Sequence, residues 1–419
     1  MTDAVENKKS FEQREKRVSD AISLRRPDRV PIMMLSPHYY PTEVAGLSKK
    51  EALNNHEKCF EAYKKMTLDL ELDMAPFPGS IPPARPYELM GVKQYKWAGD
   101  GLGDDVGHQY VEKEYMPADE YDAFLENPEG FAMRTLWPRM VESMAPLAQL
   151  PPLYSLLEAR HLVMLGGSLA GTPEFSDLLQ KMIELGKEVV AYTNALNAYY
   201  AEMEAFGFPI SYRTIGRAPF EGITDFLRGM KGSMLDMYRV PDKLLAAIDL
   251  IAPQMTRYVM TGATKSGNPR VFVPLHRGAD GYMSDEQFKK FYWPSLKKML
   301  LDLVEAGLTP MPFFEATYDS RLEYLTELPR GKMAGHFEIV DRKKAKKIIG
   351  ETMCFWGNVS AQLLVNGTPA QVKDDVKDLI DTFGDNGGLI VDGSVSIPDE
   401  ANPKNVAAMV ETVFDYGVY

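Results

Sequence analysis

The sequence predicts an α/β protein of the (β/α)₈ (TIM) barrel class, with an N-terminal helical extension and a hairpin-plus-helix insertion. Its 419 residues suit a single barrel with insertions, since such barrels extend from about 200 to more than 400 residues. Short apolar runs alternate with amphipathic helical stretches, which is typical of a parallel sheet. About eight such runs can be counted along the chain, which favours a barrel over an open doubly wound sheet.

The first βα unit is predicted near the N terminus. An N-terminal helix over residues 8–21 ends at the turn 25–29, and the apolar run 30–35 then predicts a buried strand. A helix is expected over residues 48–66 with Ser48 as its N-cap, and a second strand lies within residues 68–76. The order strand, loop, helix, strand is that of a parallel sheet.

The alternation is interrupted between residues 91 and 208. Residues 91–116 alternate in polarity enough to predict antiparallel hairpins, whereas residues 119–205 are mostly helical, with a long amphipathic stretch over 174–204. We therefore expect one barrel domain over residues 1–419, with residues 91–208 as an insertion that caps or flanks it.

The remaining strands are predicted after the insertion, with helices between them. Strands are expected at residues 210–215, 271–275, 309–314, 332–336, 352–356 and 388–391. Helices are expected over residues 242–265, 285–306 and 369–382, and others begin near residues 342 and 403.

Charge and cysteine content exclude several classes of protein. The net charge of −12 opposes binding to nucleic acid and to anionic membranes. The two cysteines, Cys59 and Cys354, form no Cys-x-x-Cys motif, so we expect no zinc ribbon, iron–sulfur cluster or disulfide framework. The polar N-terminal segment is unlike a secretory signal, and no apolar run is long enough to span a membrane. A soluble, cytoplasmic protein is expected.

In parallel α/β proteins the functional site lies at the carboxyl ends of the strands. That rule selects Ser36, His38, Arg213, Arg217, His276, Asp280, Glu315, Tyr318, His336, Glu338, Asn358, Asp392 and Ser394. Other familiar motifs are missing: the sequence has no Walker A loop, no His-Glu-x-x-His and no Gly-x-Ser-x-Gly. The glycines at 101, 103 and 107 have the spacing of a hairpin turn rather than of a dinucleotide-binding loop.

Several short motifs, in order along the chain, resemble the uroporphyrinogen decarboxylase superfamily. They are RPDRVP at 26–31, DEQFKKFYWP at 285–294, GNV at 357–359 followed by LL at 363–364, GTP at 367–369, GGLI at 387–390 and DEANPKNVAAM at 399–409. The resemblance implies a (β/α)₈ barrel with its pocket at the carboxyl ends of the strands. It also implies one of two chemistries: decarboxylation of a porphyrinogen, or methyl transfer involving a corrinoid protein or a thiol.

Decarboxylases of this superfamily carry Arg-Gln-Ala-Gly-Arg-Tyr after the first strand, and its arginines hold substrate carboxylates. The matching residues here are LSPHYY at 35–40, which contain neither arginine. The resemblance therefore speaks against decarboxylation of a porphyrinogen.

Thiol-directed methyltransferases of the superfamily bind zinc through His-x-Cys and a later cysteine. The matching residues here are Glu315-Ala316-Thr317 and Gly393-Ser394, which contain no cysteine. His276 and Glu315 are still competent metal ligands, so a zinc site remains open, although the sequence favours a site without tightly held zinc. Alternatively, Glu315 acts as an acid or as an anchor for the substrate.

The function predicted from the resemblance is removal of a methyl group from a small O- or N-methylated substrate, such as a methoxy-aromatic compound or a methylamine. The acceptor would be the Co(I) corrinoid of a partner protein, because this chain has no Asp-x-His-x-x-Gly corrinoid-binding motif. Ether oxygens and amines leave poorly and need a proton or a Lewis acid, and Glu315, His276 and Glu338 are the candidate acids. The predicted substrate-binding residues are His38, Tyr39, Arg213, Asp280, Tyr318, Arg321, His336, Asn358, Asp392 and Ser394.

Two other functions stay open at this point. One is a carboxy-lyase of the decarboxylase type that acts on a different carboxylate, and the other is a non-catalytic binding protein that kept the fold. The sequence leaves undecided the identity of the methyl donor, the direction of transfer and whether the chain forms a homodimer.

Overall fold

The computed structural model describes residues 2–385 and 387–419. Its main sheet contains six parallel strands that pair in the order of the sequence. Helical segments connect successive strands, as the alternating apolar runs predicted. The six strands are Thr214–Ile215, Arg270–Leu275, Thr309–Thr317, Ala334–Ile339, Cys354–Trp356 and Leu389–Ile390.

Two extended segments in the N-terminal part close this sheet into a barrel. Ile32 forms a parallel bridge with Val391, which follows the last strand, and the Asp73 amide donates to the Ile32 carbonyl at 3.0 Å. Ala75 in turn forms a parallel bridge with Ile210, just before the first strand of the sheet. These links supply the first two barrel positions, so the predicted (β/α)₈ barrel is confirmed.

Alternate strand residues face opposite sides of the barrel wall. Val271, Val273 and Leu275 face outward and pack in the large cluster between the strands and the surrounding helices. The interior cluster is built from the other face of the wall and includes Met33, Leu35, Met74, Tyr212, Met311, Ala334, Cys354, Trp356 and Ile390. The barrel interior is thus filled with side chains, as in other small barrels.

The helices form the outer layer. The longer α-helices are Thr2–Ile22, His56–Asp69, Ala159–Ala170, Pro173–Ala205, Gly229–Arg239, Pro241–Ser266, Trp293–Glu305, Arg342–Ile349, Pro369–Phe383 and Pro403–Tyr416. Shorter α-helices are Tyr40–Val44, Lys49–Asn54, Ala84–Met90, Tyr121–Glu126, Pro128–Phe131, Trp137–Met140, Pro219–Ile223, Asp285–Gln287, Leu322–Leu325 and Ala361–Asn366. None of the described helices is both long and apolar enough to cross a bilayer.

Two predicted helices are interrupted. The helix expected over residues 48–66 is two helices separated at Asn55, whose side chain accepts the Lys58 amide and caps the second one. Ser48 caps the first helix as predicted, in a capping box with Glu51. The helix expected over residues 285–306 widens into a π turn before Pro294, because proline has no amide to continue the regular hydrogen bonds.

The segment between residues 91 and 208 contains an antiparallel pair, Tyr95–Lys96 with Gln109–Tyr110, as the polarity pattern predicted. Short helices follow, and the segment ends with the 33-residue helix Pro173–Ala205. This helix runs almost directly into the extended segment around Ile210. The division of the chain into one barrel and an insertion remains a prediction.

Candidate active site

A cavity of about 490 Å³ opens at the carboxyl ends of the barrel strands. Its polar residues continue the inward-facing rows of the strands: His276 lies two positions after Pro274, and Glu315 lies two positions after Phe313. The lining residues are Leu35, Ser36, His38, Phe77, Ser80, Tyr212, Ile215, Phe272, Pro274, His276, Phe313, Glu315, Glu338, Val395, Ile397, Pro398 and Asp399.

One wall of the cavity is aromatic. The rings of Phe77 and Tyr212 lie 5.3 Å apart between centroids, and Tyr212 lies 5.1 Å from Phe272. Phe313 adds a fourth ring from the next strand. A row of tilted rings offers a flat, apolar surface to a planar substrate.

Beyond these rings, at the carboxyl ends of the same strands, the cavity wall is ionisable and brings together the three predicted catalytic residues. Nε2 of His276 lies 3.2 Å from Oε2 of Glu315, and both side chains are partly exposed to the cavity. Glu338 accepts the Ala316 amide at 2.6 Å, at a bulge in the strand that carries Glu315. The bulge turns Ala316 to a φ of 61°, so that Glu315 is presented at the cavity surface.

Two buried carboxylates lie behind the imidazole of His276. Oε1 of Glu221 accepts the amides of His276 at 2.6 Å and Arg277 at 2.8 Å, and also the Tyr292 hydroxyl at 2.7 Å. Oε2 of Glu221 has no hydrogen-bond partner among the described residues and lies 3.9 Å from Nδ1 of His276. Asp225 lies 3.5 Å from the same nitrogen. Both ring nitrogens of His276 therefore face carboxylates.

This arrangement raises the pKa of His276. Desolvation alone would lower that pKa, but the hydrogen bond with Asp225 and the charges of Glu221 and Glu315 outweigh it. Desolvation raises the pKa of Glu315, although the nearby imidazole opposes the shift. Burial likewise raises the pKa of Glu221. The site is therefore arranged to hold a proton between an imidazole and a carboxylate at the cavity wall.

Two arginines balance the charge of this group. Arg277 donates from Nε to Asp225 at 2.9 Å, and Arg217 lies 3.2 Å from the other oxygen of Asp225. The two guanidinium groups and a protonated His276 thus offset much of the negative charge of the surrounding carboxylates.

The same residues can also hold a metal. Among the described residues, Glu221, Asp225 and His276 can each offer one ligand atom, and these atoms lie within 4.8 Å of one another. An imidazole and two carboxylates are competent ligands for zinc. The sequence predicted His276 and Glu315 as the metal ligands, and that pair is in direct contact here.

The predicted residues His38 and Tyr39 lie in the loop after the first extended segment, and Tyr39 is buried outside the cavity lining. His38 lines the cavity, and desolvation lowers its pKa although the Asp399 carboxylate opposes the shift. The hydroxyl of Tyr39 lies 3.1 Å from Nδ1 of His108, which joins the first loop to the hairpin segment. Lys49 pairs with Asp399 at 2.7 Å and fixes that carboxylate at the rim.

His336 and Asp392 form a buried pair one inward position below the cavity. Nε2 of His336 lies 3.2 Å from Oδ2 of Asp392, and neither side chain is exposed. The imidazole packs edge-on against Phe313 and Trp356, and Asp392 also accepts the Leu35 amide at 2.7 Å. This pair joins the first, sixth and eighth barrel positions and supports the cavity floor.

The other predicted binding residues lie away from this cavity. Arg213 pairs with Glu204 and stacks on the ring of Tyr200, at the end of the long helix. Tyr318 is buried and donates to the Leu275 carbonyl at 3.2 Å.

Arg321 is also buried. It donates to the Met283 carbonyl at 2.6 Å and to Asp285 at 2.8 Å. Asp280 accepts the hydroxyl of Ser320 beside it.

Asn358 and Ser394 line a separate shallow groove. The side chain of Asn358 accepts a hydrogen bond from Arg342 at 3.0 Å, and Ser394 accepts the Ala361 amide at 3.1 Å. Glu338 borders both this groove and the main cavity. The binding roles assigned to these residues from the sequence remain predictions.

Glu221 and Asp225 were not among the site residues predicted from the sequence. Their spacing could have indicated them. They lie four residues apart at the start of the helical segment that follows Thr214–Ile215, so they share one helix face near a strand end. The aromatic wall was also predictable, since Phe272 and Phe313 occupy inward positions of their strands.

Comparison with known proteins finds similarity to one family over the C-terminal half of the chain. The model of the family "Uroporphyrinogen decarboxylase (URO-D)" matches residues 215–416. This part of the chain is therefore similar to the uroporphyrinogen decarboxylase family, as the short motifs in the sequence indicated. A uroporphyrinogen decarboxylase from Dichelobacter nodosus is 27% identical over 173 residues, which are 40% of this chain and 48% of that protein. The aligned part thus spans about half the length of this relative.

A solved structure extends the similarity of fold to nearly the whole chain. A methyltransferase from Methanosarcina mazei superposes with a TM-score of 0.60 at 16% identity, covering 96% of this chain and 98% of that one. The shared fold therefore includes the N-terminal strands, which the family model does not reach. The resemblance noted at residues 26–31 lies in this N-terminal part, outside the segment matched by the URO-D model.

Proposed function

We propose that this protein is a methyltransferase that removes a methyl group from a small methylated substrate. The 3.2 Å contact between His276 and Glu315, at the wall of an aromatic cavity, is the observation on which the proposal depends. The acceptor would be a Co(I) corrinoid carried by a partner protein, which supplies a strong nucleophile for the methyl carbon. The barrel of the Methanosarcina mazei methyltransferase supports the proposal at the level of fold.

The geometry favours a methyl ether as the substrate. When the methyl–oxygen bond breaks, the electron pair stays on oxygen, and an alkoxide is a poor leaving group unless it gains a proton. His276 and Glu315 can deliver that proton from the cavity wall. A quaternary ammonium substrate would release a neutral amine and would need no such donor.

The cavity itself fits a small planar ring. Phe77, Tyr212 and Phe272 provide an apolar face for an aromatic ring, while the ether oxygen would lie towards His276. None of the described residues that line the cavity is an arginine or a lysine, so it offers no anchor for several carboxylates. This supports methyl transfer over decarboxylation of a polycarboxylate.

The experiment uses the full chain, chemically reduced cob(I)alamin as the acceptor and 2-methoxyphenol as the probe, with released catechol measured by chromatography. We expect catechol to form only when protein and cob(I)alamin are both present. Glu315→Gln should lower the rate by about 10²–10⁴-fold, which is the usual contribution of a positioned acid. Binding of 2-methoxyphenol, measured by calorimetry, should change little.

Glu327→Gln is the matched control. The side chain of Glu327 is 43% exposed, close to the 45% of Glu315, but it pairs with Lys297 on the outer helices. Its rate should equal that of the wild type. If Glu315→Gln also turns over at the wild-type rate, Glu315 is not the acid. Release of carbon dioxide from a carboxylated substrate, with no methyl transfer, would contradict the proposal as a whole.

A further inference from the structure

The long helix Pro173–Ala205 is anchored to the rest of the chain at its two ends. Its buried side chains are Phe175, Leu178, Tyr199, Tyr200 and Met203, and Tyr192, Ala195 and Leu196 are partly buried against the same core. Residues 179–191, between these contacts, contain no buried side chain. A helical stretch with little packing gains little stability from its own hydrogen bonds in water.

The unsupported stretch carries an apolar stripe. Its large exposed side chains fall at helical spacing, with Gly186 between them, and an added Cβ at Gly186 would meet nothing within 4 Å. The side chains of the stripe are Leu179, Met182, Ile183, Val189 and Val190, which are 44–59% exposed. A stripe of this kind normally faces a packing partner.

The preceding helix, Ala159–Ala170, extends this apolar surface. None of its side chains is buried, although its sequence from Leu162 to Ala170 contains no charged residue. Leu165 and Leu169 are half-buried, whereas Leu162, Val163 and Met164 are 52–70% exposed. We call these two helical stretches, residues 159–170 and 179–191, the arm.

We propose that the arm is an interface with a second copy of this chain. Two arms would pack about a two-fold axis, so that each apolar stripe buries the other. The glycines at 166, 167 and 186 have open space around them and allow close approach of the second helix. The inference does not depend on the reaction that the cavity performs.

The area of the arm fits a stable dimer. Tyr154 and Leu157, which are 75% and 85% exposed, lie just before the arm. Together with them, the large apolar side chains of the arm expose about as much surface as six fully exposed side chains. At about 100 Å² each this is roughly 600 Å² of apolar surface, close to the about 800 Å² that each partner of a standard interface contributes. Two copies would together bury about 1,200 Å², which is the lower limit of the range for specific, stable interfaces.

The charge of the arm argues against a membrane as the occupant. Helices that bind anionic membranes are rich in lysine and arginine on their polar face. Here acidic and basic residues are mixed beside the stripe, with Asp177, Glu184 and Glu188 against Lys181 and Lys187, and Lys181 pairs with Asp177 at 3.0 Å. A surface with charges of both signs suits a second copy of itself.

The test is the mass of the full chain in solution, measured by light scattering and sedimentation over a dilution series at micromolar concentrations. We expect the wild type at twice the monomer mass of 47.1 kDa. Met182→Glu combined with Val190→Glu should raise the dimer dissociation constant by at least about a hundredfold and give the monomer mass. Circular dichroism should remain unchanged, because neither side chain is buried.

Tyr238→Glu serves as the control, since Tyr238 is 76% exposed on a different helix, Gly229–Arg239, and should leave the dimer intact. A wild-type chain that stays monomeric throughout the series would overturn the proposal. So would a Met182→Glu/Val190→Glu variant that remains dimeric. A monomeric wild type that co-floats with anionic phospholipid vesicles would assign the arm to a membrane instead.

Discussion

Neutralising the buried carboxylate of Asp73 should destabilise the barrel where its first two strands meet. Asp73 is fully buried and accepts Arg17 at 2.5 Å, both terminal nitrogens of Arg29 at 2.8 Å and the Ile32 amide at 2.8 Å. The Asp73→Asn side chain keeps the shape but loses the charge. Its amide group would also place a donor against the donors of the arginines.

The size of the destabilisation depends on which hydrogen bonds the two arginines keep in the Asp73→Asn variant. Arg17 retains its paired hydrogen bonds to Asp28 at 2.6 and 2.7 Å, whereas Arg29 retains only the Val30 carbonyl at 2.9 Å. Breaking a buried ion pair by removing one partner costs about 3–5 kcal/mol. Because Arg17 keeps a carboxylate, we expect a loss near the lower limit, about 3 kcal/mol of the free energy of unfolding.

The assay is thermal unfolding followed by circular dichroism, with urea unfolding as a second measure. At an entropy of unfolding of about 2.1 cal/mol/K per residue, a loss of 3 kcal/mol lowers the Tm of a chain this long by about 3 °C. Asp302→Asn, which removes an exposed pair with Lys298, should change the Tm by less than about 1 °C. If Asp73→Asn unfolds within 1 °C of the wild type, the buried network does not stabilise the barrel as argued.

Three further predictions address pH, metal and substrate. Desolvation would raise the pKa of Asp28, but the hydrogen bonds from Arg17 outweigh it and lower that pKa to about 2. The stability that this pair contributes is therefore present above about pH 4 and is lost as the pH falls towards 2. Urea titrations should show Asp28→Asn less stable at pH 6 by about 1 kcal/mol, allowing for the half-exposed side chain, and a difference that persists at pH 2 would contradict this. If His276 is a metal ligand, zinc titrated into the full chain should bind near one equivalent and Glu221→Gln should weaken it; if it is only a proton donor, neither protein should retain zinc after dialysis. Incubation with uroporphyrinogen should release no coproporphyrinogen, because no arginine is among the described residues that line the cavity, and detectable turnover would refute that assignment.

Features that depend on neighbouring residues could be predicted from the sequence. The strand at 271–275 and the helix at 369–382 were located within a few residues, because burial imposes a period of 2 or 3.6 on the chain itself. The Ser48 cap was predictable for the same reason, since its partner Glu51 is three residues away. The rule that strand ends carry the site also selected His276 and Glu315, which meet in the structure.

The sequence could not show which polar residues at the strand ends would meet. Tyr318 and Arg321 follow a strand just as Glu315 does, but they turn back into the structure and bond to main-chain carbonyls. The same residue types serve buried structural roles and catalytic roles, so residue type alone does not distinguish the two. The local turn of the backbone decides which role a residue at a strand end has.

By itself the sequence determined the barrel class and the resemblance to the uroporphyrinogen decarboxylase superfamily, because the first depends on local periodicity and the second on short motifs. Only the tertiary structure decided the environment of His276. Glu221 and Asp225 lie more than fifty residues before it, and chain folding brings them to its ring. Burial strengthens the interaction of these carboxylates with the imidazole. Desolvation and the close carboxylates together set the pKa of His276. That balance depends on distances across the fold, which residue order does not specify.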